Sequence, residues 1–385
     1  MSGPWTLVCS ACARTRDAAG LPGVCEACGQ PYLVRYEAPP PPAPELKRLL
    51  RERVWSMWRY REWLPLAADE APVTLGEGAT PLLRLARLGE RYGFRDLWVK
   101  DESQNPTGSF KARGLAVAVT RAAAAGARSF VVPTAGNAGV ALAAYAARAG
   151  MAARVFAPAS TPPTILAQIR AFGADLVLVA GDIGDCGKAA RAYAEEHGAM
   201  DVSTLREPYR IEGKKTLGLE LAEQLGWVLP DVLVYPTGGG TGLIGMWKAF
   251  QELRAGGWIR GALPRTYCVQ ASGCAPVVQA FATGAPSCSP WPDPTTVAAG
   301  LRVPAPLGDR LMLQVLRESG GGALAVSDEQ LMSGARELET REGIDAAPEG
   351  GATLAAALAL KERGILAGDE RIVLFNTGAG WLYRG

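Results

Sequence analysis

Lys111 lies in Asp101-Glu-Ser-Gln-Asn-Pro-Thr-Gly-Ser-Phe-Lys-Ala-Arg-Gly114, a setting unlike that of a solvated surface cation. Asn105-Pro106 and Gly108 are turn formers and Ser109 is expected to cap a helix, so Lys111 should open that helix. The orphan N–H groups and dipole of a helix N-terminus disfavour a positive charge. That lowers the lysine's pKa and favours the neutral amine, the form that condenses with a carbonyl. The chain has only eight lysines against 32 arginines, which makes a lysine in an apolar motif less casual. A second chemical cluster is Cys9-x2-Cys12 and Cys25-x2-Cys28, separated by twelve residues that include Gly20, Pro22 and Gly23. Four thiolates at this spacing suit a closed, tetrahedral structural zinc site. Two disulfides are the alternative, disfavoured in a chain that reads as cytosolic. The single histidine, His197, sits in the polar helix end Glu195-Glu-His-Gly198, so a Ser-His-Asp or Cys-His site is not expected. Proton transfer at carbon would fall to a lysine, a carboxylate or a tyrosine.

The elements that must position these groups alternate along the chain. Leu97–Lys100 reads as a strand leading into the lysine turn, with a helix from about Ala112. Strands are expected at 129–132, 153–156, 175–179, 231–235, 266–270 and 371–375, and helices at 139–150, 163–172, 187–197 and 243–254. Apolar strands alternating with such helices indicate an α/β fold with mainly parallel sheets flanked by helices. Three strands run directly into glycine-containing turns. Pro133-Thr-Ala-Gly-Asn-Ala-Gly139 offers the Thr134 hydroxyl and backbone N–H groups at a helix start, a place for a carboxylate. Pro236-Thr-Gly-Gly-Gly-Thr-Gly242 lets successive N–H groups approach a phosphate, yet lacks the Rossmann and Walker spacings. Phe375-Asn-Thr-Gly-Ala-Gly380 carries the Thr377 hydroxyl.

Three segments are expected. Residues 1–36 form a zinc-ribbon-like unit. Residues 37–73 hold the proline-rich spacer Ala38–Pro44 and an amphipathic helix from Glu45 to about Leu64, whose Trp55, Trp58 and Trp63 would pack on the body. Residues 74–385 are the main body. A net charge of +2 without basic blocks argues against nucleic acid and anionic membranes. Met1-Ser-Gly-Pro-Trp5 lacks signal-peptide character and no apolar run of about 18 residues occurs, so a cytoplasmic location is expected. Cys186, Cys268, Cys274 and Cys288 have no metal spacing and read as buried structural residues. Glu207-Pro-Tyr-Arg-Ile-Glu-Gly-Lys-Lys-Thr-Leu-Gly218 leaves two readings open: a solvated charged loop, or Lys214 and Lys215 meeting a substrate phosphate.

Asn105-Pro-Thr-Gly-Ser-Phe-Lys-Ala-Arg-Gly114 resembles the lysine motif of fold-type II pyridoxal-phosphate (PLP) enzymes, closest to threonine synthases and more loosely to threonine and serine dehydratases. Thr74-Leu-Gly-Glu-Gly-Ala-Thr-Pro-Leu82 is similar to the opening strand of threonine synthases, and the resemblance covers nearly all of 74–385. It implies a two-lobed body, with a smaller lobe of about 105–200 and a larger one from 74–104 and 201–385. It also implies that Lys111 holds the cofactor's aldehyde, with Phe110 beside it, and that Asn137 contacts the ring oxygen O3′. Gly238, Gly239, Gly240, Thr241 and Gly242 would cup its phosphate and Thr377 would meet its pyridine nitrogen, a neutral partner that suits elimination and replacement. Thr134, Ala135 and Gly136 would hold the substrate carboxylate.

The activity implied is conversion of O-phosphohomoserine and water to threonine and phosphate, with Lys111 as the base. Ala112 stands where threonine synthases usually have Asp, and Ala138 where they commonly have Thr and dehydratases His. A threonine/serine dehydratase-type ammonia-lyase, or a replacement enzyme using another phosphorylated amino acid, is therefore the alternative. A non-catalytic scaffold relative predicts a broken site, and these motifs are intact. Homodimers are usual in the family.

Overall fold

A computed structural model describes residues 5–38, 40, 42 and 44–384. Residues 1–4 of the ribbon segment, Pro39, Pro41 and Ala43 of the proline-rich spacer, and Gly385 lie outside the described residues. The ribbon comes first, as three antiparallel strands: β1 (Trp5–Cys9) in the centre, between β2 (Thr15–Asp17) and β3 (Tyr32–Tyr36). Alternation in β1 turns Trp5, Leu7 and Cys9 inward. These side chains join Tyr32 and Val34 in one apolar cluster with Leu115, Ala116 and Tyr209 of the body, so the ribbon is packed on the body.

The tryptophan-rich stretch is not one helix. Helix α1 (Pro44–Glu52) ends, and after a break the chain makes 3₁₀ turns over Met57–Trp63. Trp63 is buried edge-on against Trp258, Trp58 is half-buried and Trp55 is exposed. A single amphipathic helix would have placed all three on one stripe; the break lets Arg59 and Tyr60 reach Glu223 instead. Likewise, 74–81 is irregular, and the strand expected there begins only at Leu82.

β4 (Leu82–Arg84), α2 (Ala86–Tyr92) and β5 (Asp96–Asp101) lead to the lysine loop and α3 (Lys111–Ala124). Then follow β6 (Ser129–Pro133), α4 (Asn137–Arg148), β7 (Ala152–Pro158), α5 (Pro163–Ala171), β8 (Asp175–Val179), α6 (Ile183–His197) and β9 (Met200–Asp201). Helix α6 starts four residues before the glycine at which it was expected, because Asp182 and Asp185 form a reciprocal capping box. α7 (Tyr209–Gln224), β10 (Val232–Pro236), α8 (Thr241–Ala255), β11 (Arg265–Ala271), α9 (Pro276–Ala282), α10 (Asp309–Glu318), β12 (Gly322–Val326), α11 (Asp328–Glu342), α12 (Pro348–Glu362) and β13 (Arg371–Asn376) complete the chain.

The strands form two sheets besides the ribbon. One has the order β8-β7-β6-β9 and is wholly parallel; the other runs β12-β11-β10-β13-β5-β4, parallel except at the edge strand β4. Central β10 is buried throughout, as expected of a strand covered on both faces. The segment Glu207–Gly218 is not a solvated loop: most of it is the buried helix α7, with Lys214 and Lys215 both fully buried. Of the four later cysteines, Cys186, Cys268 and Cys274 are buried, whereas Cys288 is only half-buried.

Candidate active site

The site is assembled where strand ends meet helix starts. β5 delivers the chain into two short 3₁₀ turns, 102–104 and 106–108, with Thr107 and Gly108 both at positive φ. Lys111 is the first residue of α3. Ser109 does not cap that helix. It is extended (φ −160°), bridges Gly378 and leaves its hydroxyl buried without a partner, so Phe110 occupies the cap position with no side-chain bond. Burial pushes the Lys111 amine down, the nearby Arg210 guanidinium pushes it further, and Glu349 offsets part of this, leaving a pKa of about 7. The helix N-terminus invoked from sequence is thus not the leading cause. The amine lies 4.2 Å from the centre of the Phe110 ring.

The other motifs close around this loop. The Phe110 N–H donates to the Thr377 carbonyl (3.1 Å), and the Ala379 N–H donates to that of Gly108 (2.9 Å). Thr377, at the end of β13, is buried. Asn137 opens α4; a Cβ on Gly378 would sit 3.1 Å from its Nδ2, and its Oδ1 is buried with no partner. The Thr134 hydroxyl closes its own loop, accepting from the Gly136 N–H (3.1 Å), with half-buried Ala135 between them. The glycine loop is tied to Phe110 through Tyr235, whose ring packs edge-on with both Phe110 (6.3 Å) and Phe375 (5.1 Å). Gly240 adopts φ +78°, and a Cβ on Gly242 would lie 1.8 Å from the Tyr235 hydroxyl, so packing and backbone both demand glycine there. Among the described residues, no protein acceptor meets the N–H of Gly238, Gly239 or Gly240 at the start of α8.

Several side chains at this centre were missed from sequence. Helix α7 brings Arg210, whose Nη1 donates to the Val202 carbonyl (2.6 Å) and whose Nε is unpartnered. Glu207 caps α7 through the N–H groups of Tyr209 and Arg210; burial raises its pKa to about 7 against the pull of Arg210. Lys214 is buried over the Phe110 ring, 3.9 Å from its centre, and donates to the Phe110 carbonyl. Burial and the neighbouring Lys111 hold its pKa well below the lysine range. Glu349, in the first turn of α12, completes the set. Alternating charges in Glu207–Lys215 gave a signal for α7, but nothing in Pro348-Glu349 distinguished it from an ordinary helix start.

Beneath Lys111, four buried charges form one network. Arg113 binds Glu102 and Glu220, and Lys100 binds Glu220 (2.5 Å), with the Thr80 hydroxyl between the carboxylates. Far from this centre, the four Sγ atoms of Cys9, Cys12, Cys25 and Cys28 lie within 4.8 Å of one another, and none is in a disulfide. A cavity of about 410 Å³ lies between the ribbon and helices α8 and α10, away from Lys111.

An amine of lowered pKa, set among glycine turns at the ends of parallel strands, defines an α/β enzyme of carbonyl chemistry. The chain belongs to the family of pyridoxal-phosphate-dependent enzymes, whose pattern matches residues 73–378. Its relatives include the threonine synthase of Methanocaldococcus jannaschii, 35% identical over 97% of this chain and 91% of that one. The threonine synthase of Methanosarcina acetivorans is 36% identical over 84% and 79%. Among solved structures, a bacterial-type threonine deaminase from T.th. superposes with a TM-score of 0.67 at 30% identity, covering 78% of this chain and 92% of that one. Maize serine racemase shares the fold (TM-score 0.68, 23% identity, 78% and 88% covered).

Proposed function

We propose that this protein is a threonine synthase, converting O-phosphohomoserine and water to threonine and phosphate with pyridoxal phosphate as cofactor. The observation that carries the reading is the Lys111 amine of lowered pKa, ringed by groups with unmet hydrogen-bonding capacity. These suit the cofactor: the amine for its aldehyde, Asn137 for O3′, Phe110 beside the lysine, and Thr377 for the pyridine nitrogen. The N–H groups of Gly238 through Gly242, with the Thr241 hydroxyl, suit its phosphate at the start of α8. Bound there, the cofactor supplies an aldehyde and an electron sink that acidifies the substrate's Cα and Cβ.

The chain's own residues do the rest. The Thr134–Gly136 loop holds the substrate carboxylate. Arg210 supplies a buried cation beside Lys111 for an anionic substrate group. Lys111, neutral above about pH 7, takes and returns protons at carbon. Lys214, donating to the Phe110 carbonyl, fixes the backbone from which Lys111 extends and disfavours a second positive charge nearby.

The four cysteines suit a structural zinc ion in a ribbon of residues 1–36; 37–73 is a connector, and 74–385 is a catalytic body with a smaller lobe of about 105–200. We place the protein in the cytoplasm as a homodimer acting on a small amino acid. A second reading, a dehydratase-type ammonia-lyase, is favoured by Ala112 and Ala138 and by the 30% identity to a threonine deaminase. Incubation of the PLP-loaded protein with O-phosphohomoserine decides between them. Equimolar phosphate and threonine support the synthase, whereas ammonia and a 2-oxo acid from threonine or serine, without phosphate release, overturn it.

A further inference from the structure

Glu349 is the one carboxylate beside Lys111 without a role in that chemistry. Its side chain is 4% exposed. Oε1 accepts from the Gly300 N–H (2.7 Å) and the Tyr383 hydroxyl (3.0 Å), while Oε2 is buried with no partner. Three contacts place it at the reacting centre. The Gly300 carbonyl packs on Gly238, where a Cβ would come within 2.2 Å of it. The Tyr383 hydroxyl also hydrogen-bonds the Asn137 side chain. Glu349 and Lys111 feel one another's charge.

No arginine or lysine forms an ion pair with Glu349 among the described residues, unlike Glu102 and Glu220 below it. The titratable groups around it are Lys111 on α3 and Tyr383 near the C-terminus; its own N–H and that of Gly300 are the remaining donors. Burial outweighs these and raises its pKa, which favours the acid form. A buried carboxyl anchored through one oxygen, with the other unmet, is built to present a proton.

We propose that Glu349 is a second proton carrier of this site, serving the oxygen atoms of the reaction while Lys111 serves the carbon atoms. This rests on the threonine synthase reading. When the Cγ–O bond breaks, its electron pair leaves with the phosphate oxygen, and Glu349 Oε2 gives that oxygen its proton. When water later bonds to Cβ, the Glu349 carboxylate takes one water proton and the acid is restored. The proton gained by the departing phosphate equals the one lost by water, so Glu349 ends the cycle unchanged. The carbon-bound protons, removed from Cα and Cβ and returned to Cγ and Cα, balance separately on Lys111.

The test uses E349Q and E349D in the PLP-loaded protein. Before substrate is added, the visible absorbance of the bound cofactor is titrated against pH; E349Q should bind cofactor like the parent, with a shifted titration midpoint. With O-phosphohomoserine in D2O, exchange of the Cα proton reports Lys111 and phosphate release reports Glu349. We expect E349Q to keep Cα exchange within a few-fold and to lose phosphate release by about 10²-fold or more, with E349D intermediate. Phosphate release at the parent rate in E349Q overturns the proposal, and so does an equal fall of exchange and release in both variants, since that marks a structural role. If E349Q does not fold, E349D alone decides by the same split. A parent protein that exchanges no Cα proton of O-phosphohomoserine and releases no phosphate sinks the threonine synthase reading itself, a result distinct from either of these.

Discussion

Arg113 grips Glu102 with two hydrogen bonds, Nε to Oε2 at 2.7 Å and Nη2 to Oε1 at 2.8 Å, and neither side chain reaches solvent. Arg113 also meets Glu220 (3.1 Å), which holds Lys100. The pair joins the turn before Lys111 to the helix that Lys111 begins. Removing one member of a buried ion pair leaves uncompensated charge, which costs about 3–5 kcal/mol. Arg113→Ala should lower stability by about that amount in urea denaturation. A loss below about 1 kcal/mol would mean the network is dispensable.

The neutral Lys111 amine should be visible as a pH dependence. Its folded pKa is lowered to about 7, so the amine is protonated and unreactive below that pH and nucleophilic above it. Borohydride trapping of a small aldehyde on Lys111, located by peptide mass, should rise through about pH 7 and level off above. Lys111→Met should abolish it. A midpoint near 10.5, the ordinary lysine value, contradicts the assignment.

The ribbon should carry metal. Zinc released after thiol blocking, measured with a chromogenic chelator, is expected at about one ion per chain for a four-cysteine site. Cys25→Ser should reduce it strongly and destabilise the segment, because Cys25 is buried in the cluster that seats the ribbon on the body. Metal-free protein of unchanged thermal stability would argue against a structural ion.

Gly240→Ala tests the glycine loop. An alanine at φ +78° is strained by about 1–2 kcal/mol, and its Cβ would fall 2.2 Å from the Met312 sulfur. Displacing the loop should weaken PLP binding by about tenfold or more, measured by equilibrium dialysis. Gly364→Ala, at φ +68° in open space, has comparable strain and should leave PLP affinity unchanged. Equal affinity in both variants would remove the glycine loop from the cofactor site.

The periodicity of the chain set its α/β character because buried parallel strands such as Val232–Pro236 need continuous apolar residues, and no distant partner is required to recognise such a run. Lys111, Asn137, the glycine run and Thr377 were legible for a related reason: each follows a strand in a turn whose residue types serve local backbone geometry. Errors arose where local preference met long-range packing. Ser109 had the side chain of a helix cap, but pairing with Gly378 drew its backbone into an extended conformation. The tryptophan stretch had helical spacing, but the pull of Glu223 on Arg59 and Tyr60 accompanies a break.

Sequence by itself thus determined which residues could do chemistry and which turns would hold them, since both depend on neighbours within a few positions. Only the tertiary structure decided how that chemistry is tuned. The pKa of Lys111 depends on burial and on Arg210 and Glu349, and Glu349 stays an acid because no cation from another element pairs with it. Electrostatic energies are set by distance and by exclusion of water, and sequence separation encodes neither.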